Sequence, residues 1–101
     1  MTILFYCQHA FGMGHFVRSV ALAERLADDG HVVFLNGGQL PAGARFPTTV
    51  ERIDLPPLGL SEDGTLVSFN ERLTPDAALA ARRDQMLALL EAPRPDVVLI
   101  E

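Results

Sequence analysis

The sequence predicts an α/β fold, a doubly wound parallel sheet with a helix on each face. Three observations carry that reading. Short continuous apolar runs, Ile3–Cys7, Val32–Leu35 and Val97–Ile100, have the form of strands buried on both sides. Segments of helical period separate them, in the order β-α-β, β, α-β. The composition, 49% hydrophobic and 21% charged, is that of a chain able to bury a core.

The first run begins at Ile3 and gives way to the polar, glycine-containing stretch Gln8–Gly14. From His15 to about Asp29 the pattern is helical. Phe16, Val20, Ala23 and Ala27 fall on one stripe, with Arg18, Arg25 and Asp29 opposite. Gly30 stands where a left-handed helix cap is expected. Val32–Leu35 is the second strand, stopped by Asn36-Gly37-Gly38, and residues 39–49 form a loop. Val50–Leu55 alternates apolar and polar residues and predicts a third strand, ended by Pro56-Pro57. Residues 58–73 predict only loop. Thr74-Pro75-Asp76 combines a hydroxyl cap, proline at the first helical position and an early acid. That second helix runs to about Glu91, with the leucines between residues 79 and 90 read as its core side.

Asp96–Glu101 opens a fourth strand, expected to be central and buried. On that expectation the chain is the first half of a larger α/β domain, a fragment with uncovered surfaces prone to self-association.

The net charge of −5 weighs against a nucleic-acid surface built on bulk charge. No apolar run approaches the roughly 20 residues that span a bilayer, and no signal peptide is recognisable. The single cysteine, Cys7, cannot form an internal disulfide and reads as a small buried hydrophobe. A reduced, cytoplasmic chain without a metal site is expected.

Chemistry concentrates in Gly12-Met-Gly14-His15-Phe-Val-Arg18-Ser19, between the first strand and the first helix. In doubly wound sheets this turn lies at the edge where ligands bind. Glycines let backbone approach a ligand, and helix-start N–H groups attract anions or hydroxyls. His15 there can serve as a general base or as a donor to a phosphate or sugar. Arg18 opposes the helix dipole and calls for a compensating anion. Asn36 and Gly37 end the second strand and either line the cleft or form a turn. Glu101, at another strand end, can face the same cleft, and so can His9, which otherwise lines a loop. His31 reads as structural. The dinucleotide fingerprint fails, since its third glycine falls on Val17 and Asn36 replaces the acid. A P-loop is also absent.

These residues resemble a family. Gly12-x-Gly14-His15-x-x-Arg18-Ser19-x-Ala21-Leu22-Ala23-x-x-Leu26, then Gly30-His31, Val33-Phe34 and Gly37-Gly38, is similar to the N-terminal domain of GT-B glycosyltransferases. The peptidoglycan N-acetylglucosaminyltransferase-like enzymes and a set of predicted bacterial glycosyltransferases are the nearest groups, and Phe5-Tyr-Cys-Gln-His9 looks closest to the latter. The peptidoglycan enzymes follow their Gly-Gly-His string with proline, where this chain has Val17 and Arg18, so acceptor identity is not carried over.

The resemblance implies two Rossmann-like domains facing across a cleft, the acceptor on the N-terminal side and a nucleotide-sugar donor on a C-terminal domain. It implies a hexosyl transfer with His15 catalytic and with Gly12, Gly14, Arg18, Ser19, Asn36 and Gly37 at the substrate. The nucleotide sugar is a co-substrate, and no further cofactor is implied. A nucleotide-sugar hydrolase of the same fold and a non-catalytic α/β binding module are the alternatives. The 101 residues alone are expected to be inactive.

Overall fold

The computed structural model describes residues 1–8, 14–40, 43–92 and 94–101. Six strands and two helices follow in the order β1 (Thr2–Cys7), α1 (Gly14–Leu26), β2 (His31–Asn36), β3 (Glu51–Asp54), β4 (Leu58–Leu60), β5 (Leu66–Ser68), α2 (Pro75–Glu91) and β6 (Val97–Ile100). Four of them form one parallel sheet in the order β3-β2-β1-β6. The α/β arrangement expected from the sequence, a parallel sheet with two helices, is therefore present and compatible with a Rossmann-like fold.

Alternate side chains of the central strands feed two cores. Ile3, Phe5, Cys7, Val32 and Phe34 meet Phe16 and Ala23 of α1 on one face. Phe34 anchors that side, stacking on Phe5 with ring centroids 5.4 Å apart and meeting Phe16 edge-on at 6.0 Å. Leu4, Val33, Leu35 and Leu55 meet Met86 and Leu89 of α2 on the other. The stripe Phe16, Val20, Ala23, Ala27 faces inward as its spacing required.

Several expectations are corrected. Helix α1 ends at Leu26, and Gly30 has no left-handed backbone. A Cβ there would lie 2.7 Å from the Met1 carbonyl oxygen, which accepts from the His31 N–H at 2.8 Å. Close approach of β1 and β2, not capping, demands that glycine. Residues 58–68, expected as loop, contain the antiparallel hairpin β4–β5, turned through Gly64 at φ 82°. Its strands are three residues each, too short for alternation to register.

Helix α2 begins as read, with Thr74 Oγ1 accepting from the Ala77 N–H at 3.1 Å. Its leucines do not all face the core: Leu79, Leu87 and Leu90 are exposed. The buried stripe runs instead through Ala78 and Arg82 to Met86 and Leu89. Within the described sheet, strand β6 lies at the edge, pairing with β1 alone and leaving Val98 and Ile100 exposed. No other described strand reaches it.

Candidate functional site

From β1 the chain winds through α1 to β2 and β3 on one side, then crosses by α2 to β6 on the other. The winding direction therefore reverses between β1 and β6, and the carboxyl ends of strands flanking such a point form the ligand crevice of open α/β sheets. Here those ends are Cys7 and Ile100, and the Glu101 N–H donates to the Tyr6 carbonyl at 2.9 Å.

Three charged or titratable side chains converge on this edge. Arg18, in the second turn of α1, places Nη2 2.7 Å and Nε 3.2 Å from Glu101 Oε1. The same Nη2 lies 3.3 Å from His15 Nδ1. The compensating anion that Arg18 calls for is thus Glu101. A guanidinium only donates, so Nδ1 accepts, and the neutral imidazole carries its proton on Nε2. That Nε2 is buried and has no hydrogen-bond partner among the described residues. A buried donor without an acceptor is costly, and an oxygen placed beside it would remove the cost.

The remaining sequence-derived residues take different positions. Gly14 opens α1, exposed, with nothing within 4 Å of a Cβ there, so crowding does not require its glycine. Gly12 and His9 lie outside the described residues. Ser19 is fully buried under α1, near Cys7. Its hydroxyl lowers the thiol somewhat but makes no hydrogen bond of ordinary geometry. Burial outweighs it and pushes the Cys7 thiol above its usual range. His31 pairs with Glu51 at 3.0 Å at the opposite edge of the sheet, away from His15.

Asn36 is buried at the end of β2, donating to the Gly38 carbonyl at 3.0 Å and to Asp54 at 3.2 Å. Beside it a cleft of about 170 Å³ is lined by Asn36, Gly38, Asp54 and Pro57. Gly37 lies against Gln8 and Arg82: a Cβ there would collide with Gln8 Oε1 and come within 2.6 Å of Arg82 Nη2.

Arg82 was not singled out in the sequence, and it organises the other face of the same edge. Its Nη1 donates to the Gly37 carbonyl at 2.8 Å and the Pro56 carbonyl at 3.2 Å. Its Nη2 donates to the Tyr6 hydroxyl at 2.6 Å and to Gln8 Oε1. The end of β1 and the segments that follow β2 and β3 are thereby tied to α2. The signal was available: Arg82 stands on the inward stripe between Ala78 and Met86.

Among the described residues no cluster of His, Cys, Asp and Glu has the form of a metal site, and no helix is long and apolar enough to cross a membrane. Comparison with protein-family models, with curated proteins and with solved structures gives no match for this chain.

Proposed function

We propose that the chain is the N-terminal, acceptor-side part of a glycosyltransferase that uses a nucleotide-sugar donor, with His15 at the reacting oxygen. What supports this is His15 Nε2 at the switch point, buried and without a hydrogen-bond partner among the described residues, while Arg18, paired with Glu101, contacts the ring at Nδ1. The motif resemblance described above agrees with it. In such a transfer the acceptor oxygen bonds to the anomeric carbon, and its hydroxyl proton passes to the departing diphosphate or to water. The bond from that carbon to the nucleoside diphosphate breaks, and the diphosphate departs with the electron pair. With Arg18 donating to Nδ1, His15 holds an oxygen by donating from Nε2. A general-base role at Nε2 would require Arg18 to release the ring.

The test is sugar release and transfer by the full-length protein carrying this chain, offered uridine, guanosine and thymidine diphosphate sugars. Loss of one positioned donor commonly lowers turnover by about 10²–10³-fold, which is the effect expected of His15→Ala. Undiminished transfer by that variant removes His15 from the site. Rapid release of free sugar from donor alone would move the assignment to the hydrolase. The 101 residues by themselves are expected to transfer nothing, because proximity and orientation supply on the order of 7–11 kcal/mol only when both substrates are held.

A further inference from the structure

On the sheet face opposite His15, a groove runs between α2 and the β4–β5 hairpin. Tyr6 and Gln8 form its floor, and Leu60, Leu79, Leu87 and Leu90 contribute exposed apolar walls. Its volume, about 640 Å³, lies within the usual range for small-molecule sites.

An apolar groove alone names no occupant, but this one has a charge in its lining. Arg82 is 5% exposed, and no Asp or Glu among the described residues forms an ion pair with it. Every acceptor it uses is neutral: two carbonyls, a phenol and an amide. Hydrogen bonds to dipoles satisfy four donors and leave a buried positive charge without a counter-charge. Arg83 at the rim is paired with Asp84 at 3.2 Å, so the uncompensated charge of this side is that of Arg82.

We infer that the groove binds an amphipathic monoanion, a small molecule whose carboxylate meets Arg82 and whose hydrocarbon body lies along the leucines. This site is separate from the one assigned to His15, and neither assignment depends on the other.

Titration calorimetry of the chain with decanoate and with decanol separates head from tail. A charge-assisted hydrogen bond corresponds to about tenfold or more in affinity, so decanoate is expected to bind at least that much more tightly than decanol. Leu87 is 54% exposed, so Leu87→Glu leaves the fold intact while placing a negative charge in the wall. Decanoate binding is expected to fall by about tenfold or more in that variant. Bound [1-¹³C]decanoate should titrate at lower pH than the free acid, and this shift should vanish in Arg82→Met. Equal affinity for decanoate and decanol, an unshifted carboxyl titration, or no binding of either molecule would each overturn the inference.

Discussion

Arg18 and Glu101, 83 residues apart, meet at 2.7 Å where the first helix passes the end of the edge strand β6. Half of this pair is well exposed, and exposed ion pairs contribute roughly 0–1 kcal/mol to stability. The pair matters for orientation: it presents an Arg18 N–H to His15 Nδ1 and so sets the imidazole tautomer.

The first prediction is therefore spectroscopic. Long-range ¹H–¹⁵N correlation of His15 at neutral pH should show the neutral ring protonated at Nε2. In Arg18→Ala the Nδ1–H form should gain population. A wild-type ring protonated at Nδ1 would contradict the contact.

Gly37→Ala is expected to destabilise the chain by about 1–3 kcal/mol, the usual cost of overpacking. The added methyl must displace Gln8 Oε1 or the Arg82 guanidinium. Urea unfolding measures the change, and a variant as stable as wild type would show that the strand-end network yields freely.

Thr74→Ala removes the side-chain acceptor that caps α2. A loss of about 1 kcal/mol is expected. Thr74→Ser, which keeps an oxygen at the same place, should recover most of it in the same denaturation experiment.

Asp63 lies fully exposed in the β4–β5 turn, where hydrogen bonds from the Ser61 hydroxyl and from Thr65 hold its carboxyl down to about 2. Its folded value lies below the ordinary 3.8. The contribution of its ionised form to the turn is thus present above that ordinary value and is lost as pH falls through about 2. Carboxyl-carbon NMR should show a midpoint near 2, moving upward in Ser61→Ala. A wild-type midpoint near 4 would contradict the turn geometry.

The central strands and both helices were legible because each advertises itself locally. Ile3–Cys7 and Val32–Leu35 are apolar without interruption, and Thr74-Pro75-Asp76 spells a helix start in three residues. What stayed hidden depends on distance in the chain. Nothing near Gly30 discloses that it faces Met1, and nothing near Gly37 discloses that it makes room for Arg82. The hairpin of residues 58–68 offers only three residues per strand. At the candidate site, His15 and Arg18 stand in one motif, and Glu101 follows a readable strand end. Their junction required the fold. Ser19 stands one residue from Arg18 in that motif, yet helical rotation carries it under the helix.

The strand order also sets a timetable. β1 precedes both of its neighbours in the chain: β2 follows it closely, and β6 comes after every other described strand. Ile3 pairs with Val32 on one side and with Val97 on the other. At roughly 5–20 residues per second, the second partner leaves the ribosome some five to twenty seconds after the strand awaiting it. During that interval an apolar strand of the nascent chain has one edge unpaired, a target for chaperones and for neighbouring chains. Ribosome-bound intermediates stalled before Val97 should be correspondingly sensitive to protease and prone to capture by ribosome-associated chaperones.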